Sequence, residues 1–394
     1  MTNSSAVETR LGRRDGSWHA DPGYGVYVHV PFCRHRCHYC DFNTYEGLDA
    51  LHEPYVAALE REIGTSSDHP GPATSVFFGG GTPTLLRPAQ LGRILDAVRD
   101  AVEIAPGAEI TVEANPETVD EKTFAELLDA GFNRFSVGVQ SLAPHVLARL
   151  GRTHSAETAL DALAAAQRAG ATDLNADLIF GSPWERPEDW TRSLDGIVAA
   201  GTAHVSAYAL TIEEGTPLAT LIKTGREPDV DPDVQAERHG HASDVLEAAG
   251  FVRYEVSNWA RPGYASRHNV LYWSAGDYAG FGAGAHGHRA GRRYWKTRLP
   301  RDFVAAATAG TPTEAGSEHL AAEERAHEAI VLGLRLAGGV HEPSFFDRYP
   351  TGRAATERTA SELRAAGWLE RADEHLRLSA RGTLVANDIL CRFL

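Results

Sequence analysis

Short apolar runs alternate with segments of helical period along the first half of the chain. The runs, each of strand length, lie at 26–30, 75–78, 109–113, 135–139, 174–179 and 204–209. Between them, apolar residues recur on one face of a helix, as they do from Leu91 to Val102. Strands that alternate with helices predict parallel pairing through right-handed crossovers. Six such units fit an open barrel better than a closed barrel of eight, so the predicted fold class is α/β, a partial (βα)6 barrel.

The pattern divides the chain into four predicted parts. Residues 1–20 are polar and are interpreted as a loosely ordered lead-in, 21–225 form the barrel, and 226–317 are a connecting region rich in aromatic residues, glycine and histidine. Residues 318–394 predict helices and a hairpin in an arrangement that resembles a winged-helix module. Such modules often bind DNA, but residues 321–394 hold ten arginines, no lysine and eleven carboxylates. A packing or partner-binding role is therefore favoured.

Unusual polar residues follow the predicted strands at the point where each strand ends. Because the carboxyl ends of parallel strands share one rim of a barrel, these residues are expected to face the same mouth. Ordinary loop chemistry explains each of them singly but not the whole set. In chain order they are three cysteines, the Gly-Gly-Gly-Thr-Pro loop at 79–83, Glu113 to Pro116, Gln140 with Ser141, Asp177 and Tyr208.

The overall charge and the cysteine content exclude several classes of protein. A formal net charge of -15 argues against general affinity for nucleic acid, since a polyanion needs a basic face. No run approaches the roughly 18 apolar residues that span a bilayer, so no transmembrane segment is expected. Four cysteines, three of them close together, are typical of metal ligation in a reducing compartment. We therefore expect a cytoplasmic protein in which the fourth thiol, Cys391, is buried in an apolar helix.

Cys33, Cys37 and Cys40 have the spacing C-x3-C-x2-C. On one loop, this spacing lets three thiolates converge on an inorganic centre. Iron–sulfur cubanes usually use four cysteines, so a [4Fe–4S] cluster held by three keeps one iron open. S-adenosylmethionine (SAM) fits that position, because its amino and carboxylate groups can chelate the iron. Electron transfer into the sulfonium would then yield a 5′-deoxyadenosyl radical.

A structural zinc site is the alternative interpretation of the same loop. One imidazole would join the three thiolates as the fourth ligand, from His29, His35 or His38. Zinc ligands more often come as two separated pairs, and the sequence has no second pair. The zinc site therefore ranks below the cluster.

The cysteine spacing, Tyr39 before the last thiol and the Gly-Gly-Gly-Thr-Pro loop make the chain resemble the radical SAM superfamily, from about Tyr24 to the C-terminus. More narrowly, it is similar to the branch that contains oxygen-independent coproporphyrinogen III oxidase and the HemW-type haem chaperones. The resemblance implies a [4Fe–4S] cluster on the three cysteines and SAM at the rim. The positions that match SAM contacts of the family are Tyr27, Tyr39, Gly80, Gly81, Thr82, Glu113, Gln140, Arg152 and Asp177.

The residue types suit these implied roles. Glycine lets the backbone come close to a ligand, and Arg152 is a natural partner for a carboxylate. Glu113 can accept a hydrogen bond from a ribose hydroxyl or from the ammonium of SAM. A strand-end ion pair or a helix cap explains Arg152 and Asp177 more readily than it explains the glycines. In the oxidase some of these contacts serve a second SAM, and the sequence does not decide whether one binds here.

Two features distinguish the two branches. The oxidase pattern has a further cysteine two residues after the last cluster ligand, where this chain has Phe42, as the chaperone branch does. The HNxxYW motif of the chaperone family, which the resemblance implicates in haem binding, is matched by His268, Asn269, Tyr272 and Trp273. Imidazole is a common axial ligand of haem, and aromatic rings can stack on a porphyrin. Packing of a loop on the barrel mouth is the alternative explanation.

The resemblance thus implies a radical SAM haem chaperone that binds haem and passes it to haem-requiring proteins, with membrane-bound respiratory enzymes as candidates. The first alternative is the oxidase reaction, the oxidative decarboxylation of coproporphyrinogen III to protoporphyrinogen IX. The second is a structural zinc protein that only binds partners. Coproporphyrinogen oxidase activity is not expected, and the sequence leaves open whether SAM is cleaved productively.

Overall fold

The computed structural model describes residues 16–67 and 69–394. The centre of the fold is a run of six parallel strands that are hydrogen-bonded to one another in the order of the sequence. The partial barrel predicted from the hydrophobic pattern is thereby confirmed. The strands are β1 (Tyr24–Val30), β2 (Ala73–Gly80), β3 (Ile104–Ala114), β4 (Arg134–Gln140), β5 (Asp173–Phe180) and β6 (His204–Ala209).

Helices follow the first five strands and cover the outside of this sheet. They are α1 (His52–Gly64), α2 (Pro88–Ala101), α3 (Glu121–Ala130), α4 (Pro144–Leu150), α5 (Ala156–Arg168) and α6 (Pro187–Ala200). Their inward faces are apolar, and Leu91 and Val98 of α2 are completely buried. Local chemistry sets the helix ends. The Asp120 carboxylate accepts from the N–H of Thr123 at the start of α3 (2.7 Å), and Gly131 ends that helix with φ 102°.

Residues 226–317 are more than a connection, because they extend the barrel sheet at both edges into twelve strands. Beyond β6 come β8 (Asn258–Ala260), antiparallel to it, and β7 (Val252–Glu255). Beyond β1 come β9 (Asp277–Phe281), parallel to it, then the antiparallel β10 (His286–Arg289), β11 (Arg292–Lys296) and β12 (Glu314–His319). The accompanying helices are α7 (Pro217–Lys223), α8 (Pro232–Ala248), α9 (Arg267–Trp273) and α10 (Pro300–Ala309).

The end of the chain packs around a hydrophobic cluster that is separate from the core of the barrel and is called the second hydrophobic cluster below. It consists of α11 (Ala322–Gly333), β13 (Val340–His341), α12 (Glu342–Arg348), α13 (Arg353–Ala365), the hairpin β14 (Leu369–Ala372) and β15 (His375–Leu378), α14 (Ala380–Leu384) and α15 (Ala386–Leu390). These elements agree with the expected winged-helix-like arrangement. The expectation that Cys391 is buried is wrong, because the chain ends in a 3₁₀ turn that buries Phe393 and leaves the thiol-bearing residue exposed.

Residues 16–20 have no helix or strand, but they are attached to the fold. Trp18 is 4% exposed and meets the ring of Phe345 edge-on at 5.5 Å, and the backbone N–H of Trp18 donates to the Gly339 carbonyl at 3.1 Å. This differs from the predicted loose lead-in because the indole packs into the second cluster. Residues 1–15 of that lead-in lie outside the described residues. None of the described helices is both long and apolar enough to cross a bilayer.

Candidate functional site

The cysteine loop follows β1 at the carboxyl-terminal rim of the barrel. Within the loop, the Cys33 N–H donates to the Tyr45 carbonyl at 3.0 Å. The Asn43 side-chain amide donates to the carbonyl oxygens of Ala283 and Arg298, each at 3.0 Å, which lie 240 and 255 positions later in the chain. The loop is therefore held both by its own turn and by the edge of the extended sheet.

A chain of polar side chains connects two of the thiols across the rim. The Thr82 hydroxyl lies 3.9 Å from Cys33 Sγ and accepts from Asn115 Nδ2 at 3.0 Å. Asn115 Oδ1 accepts in turn from Arg152 Nη2 at 2.8 Å, and Arg152 Nη1 points at Cys37 Sγ at 3.4 Å. The ends of β2 and β3 and the loop after α4 thus fix the surroundings of Cys33 and Cys37 together.

The donor chemistry of the loop fits an iron–sulfur cluster. The three thiols are free and half-buried, and burial raises the pKa of Cys33 to about 11 and also raises the pKa of Cys40. Iron binds the thiolate, so these protons leave when a metal centre is bound. Within residues 16–67 and 69–394, no three Cys, His, Asp or Glu side chains gather around one position as they do at a single metal ion. The loop offers three free thiols on one rim, the donor set of a cubane with an open iron.

Two further predicted residues lie near the polar chain of Asn115 and Arg152. The Tyr39 side chain lies against Cys37 and beside Arg152, and burial raises the pKa of its hydroxyl above the usual value. Gln140 ends β4 with φ 66°, a left-handed conformation that is uncommon for a residue other than glycine. Such a conformation costs about 1–3 kcal/mol and persists only where neighbouring groups hold it. Arg152 Nη2 donates to the nearby carbonyl of Gly138 at 3.1 Å and so contributes to holding the end of β4.

The glycine loop after β2 has no room for side chains. A Cβ on Gly80, whose φ is 116°, would lie 2.4 Å from Cε1 of His29. A Cβ on Gly81 would lie 2.5 Å from the Phe32 carbonyl oxygen and 3.1 Å from Cys33 Sγ. Glycine is therefore required for the backbone to pass directly beside the cysteine loop.

Tyr27 and His29 form a hydrogen-bonded pair on the inner face of β1. His29 Nε2 lies 2.9 Å from the Asn43 carbonyl oxygen, which only accepts, so Nε2 carries the proton. His29 Nδ1 is then the acceptor for the Tyr27 hydroxyl at 2.9 Å. Burial lowers the pKa of His29 to about 4, so the imidazole is neutral at pH 7. The pair presents a fixed, uncharged surface beside the glycine loop.

Two carboxyl groups lie deeper in the mouth. Burial, together with the negative charge of Asp177, raises the pKa of Glu113 to about 8, although the Gly80 N–H donates to Glu113 Oε2 at 3.1 Å. Burial also raises the pKa of Asp177, whose oxygens accept from Ser136 Oγ and Asn175 Nδ2, each at 2.8 Å. Two buried carboxyl groups that repel each other in their charged forms favour a cationic ligand between or beside them. The ammonium and sulfonium of SAM are cations of this kind.

The HNxxYW motif lies in α9, which packs against the part of β2 that precedes its rim end. The Ser266 hydroxyl donates to Glu109 Oε1 at 3.1 Å, and the N–H groups of Arg267 and His268 donate to the Glu109 carboxylate at 2.9 and 3.1 Å. A carboxylate at this end offsets the partial positive charge of the helix N-terminus. Glu109 of β3 therefore fixes α9 to the barrel.

His268 is not available to an external ligand in this position. It is 1% exposed, its Nδ1 lies 2.9 Å from the Ser75 hydroxyl, and its ring stacks on Phe77 at 5.1 Å. Burial lowers the pKa of His268 to about 4. The expected axial contact to haem does not fit this geometry, because the iron would reach the imidazole only if α9 moved away from β2.

The other three motif residues differ in where their side chains lie. Tyr272 meets His268 edge-on at 4.5 Å and Tyr278 of β9 at 4.6 Å, and it lines the cleft beside the rim. Asn269 Nδ2 donates to the Tyr254 hydroxyl at 3.2 Å. Trp273 packs against the second hydrophobic cluster. Of the motif, Tyr272 therefore shares a cleft with the rim, His268 packs against the Tyr272 ring, and Asn269 is bonded to Tyr254.

Asn115 is the site residue that sequence reasoning passed over. It follows the last residue of β3 and joins Thr82 to Arg152, so it occupies the centre of the polar chain. Its position after a barrel strand was the available signal. Its amide is a less obvious ligand than the carboxyl of Glu113 two residues earlier. It nevertheless contacts Thr82 and Arg152, the side chains that reach the two thiols.

Known proteins are similar to this chain along almost its whole length. The family described as the radical SAM superfamily matches residues 27–196, and the HemN C-terminal domain family matches 320–385. A relative named heme chaperone HemW from Mycobacterium tuberculosis is 41% identical over 93% of this chain and 94% of its own length, and one from Bacillus subtilis is 32% identical over 94% and 98%. The solved structure of coproporphyrinogen III oxidase (HemN) from Escherichia coli aligns with a TM-score of 0.80 at 20% identity, covering 99% of this chain and 93% of that one. At that identity the alignment shows a shared fold.

Proposed function

Because the chain belongs to the radical SAM superfamily and, within it, to the family of the relatives named heme chaperone HemW, we propose that it binds haem and passes it to haem-requiring proteins. Membership of the superfamily implies a [4Fe–4S] cluster and SAM. The observation that carries the proposal is Phe42, which stands on the chaperone side of the oxidase–chaperone distinction and lies exposed at the edge of the mouth.

We assign the cluster to Cys33, Cys37 and Cys40. When bound, a cluster with three thiolates supplies an open iron for chelation and an electron for a sulfonium. The free thiols on one rim and the side chains that reach Cys33 and Cys37 support this assignment. Arg152 and Thr82 orient the loop from the barrel side.

We assign SAM to the rim beside the cluster. Gly80 and Gly81 let the backbone approach the ligand, and the carboxyl of Glu113 accepts from its ammonium or ribose. The other rim positions expected to contribute are Tyr27, Tyr39, Thr82, Gln140, Arg152 and Asp177. Their support is that the parallel strands of the barrel end at one rim, where sites of this fold are built.

We assign the haem-binding segment to 268–273 with a changed division of roles. Tyr272 lines the cleft and His268 packs against its ring, while Asn269 is bonded to Tyr254 and Trp273 packs against the C-terminal part. An aromatic ring at the wall of a cleft can pack on a porphyrin face. The identity of the haem acceptor, with respiratory enzymes as candidates, and the cytoplasmic location stay predictions from the sequence.

Anaerobic purification and product analysis on one sample test the proposal. The protein is expected to be brown, to contain about four irons, and to shift the Soret band of added haem. Incubation with coproporphyrinogen III, SAM and a reductant is expected to leave the coproporphyrinogen unchanged. Formation of protoporphyrinogen would refute the chaperone proposal and support the oxidase activity. A colourless protein that contains zinc would refute both proposals.

A further inference from the structure

A cleft of about 890 Å³ opens directly beside the rim. One wall belongs to the SAM region, with Tyr27, Gly80 and Glu113. The opposite wall comes from β9 to β11, the strands that extend the barrel sheet beyond β1. The volume lies within the range of about 300–1,000 Å³ that ligand sites occupy. This mouth cleft therefore has the size of a ligand site.

His286 is the exposed imidazole of the mouth cleft. It starts β10 directly opposite Trp295 of β11, with the two ring centres 6.2 Å apart. The pKa of His286 is lowered by burial and by the nearby guanidinium groups of Arg293 and Arg298. Among the described residues the structure records no hydrogen bond from its ring. A neutral imidazole with unengaged nitrogens is a competent ligand for haem iron.

The cationic groups of the mouth cleft differ in their availability. Arg293 is paired with Glu318 at 3.0 Å and Glu328 at 2.8 Å, and Lys296 is paired with Glu62 at 3.0 Å. Arg298 has no carboxylate partner in the described part of the chain, and it is exposed at the cleft. A guanidinium in this state pairs readily with a carboxylate such as a haem propionate.

Aromatic surface completes the mouth cleft. Phe42 is 64% exposed, and Tyr272 and Tyr278 stand edge to face on the inner side. A large exposed apolar ring beside other aromatic rings is a surface that a planar apolar ligand can cover. The position at which this chain has no further cysteine thus supplies an apolar part of the same cleft.

We infer that the mouth cleft binds haem, with His286 as the axial ligand of the iron and Arg298 paired with a propionate. The inference rests on the proposed haem-binding function and assigns its site. It moves the iron ligand from the buried His268 of α9 to an exposed histidine of β10.

A second cleft is the competing location and supplies a matched control. It has a volume of about 490 Å³, lies between α9 and the C-terminal helices, and contains His288 and Trp273. His288 is on the same strand and the same face as His286, but its Nδ1 is held by the Gly276 carbonyl and by Asp277, each at 3.2 Å. Replacement of His288 therefore removes an imidazole from β10 without changing the mouth cleft.

The test is a titration of the full-length chain with ferric haem and, separately, with metal-free protoporphyrin IX. His286→Ala is expected to weaken haem binding by at least about tenfold and to remove the nitrogen-ligand signature from the electron paramagnetic resonance spectrum, because loss of a metal-site contact has effects of this order. Its affinity for the metal-free porphyrin is expected to stay within about twofold, since no iron is ligated. Arg298→Ala is expected to weaken both ligands by about twofold to fivefold, the range of an exposed charge contact. His288→Ala is expected to match the wild-type protein.

The outcomes separate the site from the function. If the wild-type chain binds haem and His286→Ala binds it with the same affinity and spectrum, the site is refuted and the proposed function stands. If only His288→Ala loses the nitrogen signature, haem binds in the second cleft and the assignment to the mouth cleft is refuted. Absence of haem binding by the wild-type chain would refute the proposed function together with the site. Circular dichroism of each variant checks that the fold is intact.

Discussion

Replacement of Gly80 by alanine tests whether the close backbone approach at the rim is needed for SAM. The added Cβ would lie 2.4 Å from Cε1 and 2.6 Å from Nδ1 of the His29 ring, which is itself fixed between Tyr27 and Asn43. Because His29 is hydrogen-bonded at both nitrogens and 5% exposed, it cannot move without breaking a bond. The substitution therefore combines an unfavourable backbone conformation with overpacking against a buried ring.

Gly170 separates these two contributions. Its φ of 102° is close to the 116° of Gly80, but a Cβ at Gly170 would meet nothing within 4 Å. A side chain at positive φ costs about 1–2 kcal/mol at either position, and overpacking adds about 1–3 kcal/mol at Gly80 alone. Gly80→Ala is therefore expected to destabilise the protein by about 1–3 kcal/mol more than Gly170→Ala does.

Two assays measure the difference. Thermal unfolding of the cluster-free proteins compares the stabilities, and equilibrium dialysis with labelled SAM on anaerobically reconstituted protein compares the affinities. We expect Gly80→Ala to weaken SAM binding by at least about tenfold, which corresponds to about 1.4 kcal/mol, and Gly170→Ala to bind SAM as the wild type does. Equal stability and equal SAM affinity of the two variants would refute the reasoning about the Gly80 contact.

Three further perturbations test the rim. Cys37→Ser is expected to abolish stable cluster binding, measured as iron per chain, whereas Cys391→Ser is expected to keep the full iron content because that residue is exposed outside the barrel; equal iron in both would refute the cluster assignment. Asn115→Ala removes two hydrogen bonds of roughly 0.5–1.5 kcal/mol each and is expected to weaken SAM binding by about tenfold without loss of iron; unchanged affinity would contradict the role of the polar chain. The buried Glu113 keeps its proton up to a pKa of about 8, compared with 4.5 in the unfolded chain, so between these values stability falls as pH rises. From pH 5 to pH 8 the unfolding temperature of cluster-free Glu113→Gln should therefore rise relative to that of the wild type. A difference that stays constant with pH would contradict the raised pKa.

The barrel and its rim were predictable because they depend on regular features of the sequence. Runs such as 26–30 and 174–179 have the length and apolar character of parallel strands buried on both faces. Once the strands alternate with helices, the rule that their carboxyl ends share a rim brings Cys33, Glu113 and Asp177 to one mouth. The grouping of these residues at one rim followed from topology.

The extension of the sheet was not predictable by the same reasoning. β10 and β11 are only 4 and 5 residues long and consist mainly of histidine, arginine and aromatic residues, so they lack a clear apolar alternation. They join the barrel sheet through β9, whose Asp277 lies opposite Tyr24 of β1, and a local pattern does not contain this distant contact. The mouth cleft was missed for this reason.

The burial of His268 could not be predicted from the sequence for a different reason. A histidine beside aromatic residues suggests a ligand site, but the sequence does not show that Ser75 and Phe77 of β2 lie against the ring. The tertiary partner Glu109, which fixes α9, lies 159 positions before His268. The motif residues therefore do not show which side chains of the segment are accessible.

The contacts of Asn43 have a consequence for biosynthesis. The acceptors that hold its side chain, the carbonyls of Ala283 and Arg298, leave the ribosome long after the cysteines do. During translation the three thiols therefore emerge on a segment that still lacks its outer anchor. Iron loaded onto the nascent chain would meet an incompletely fixed loop, whereas loading after release would meet the finished one. A chain truncated before 283 would retain every cluster ligand and yet lose the support of its loop.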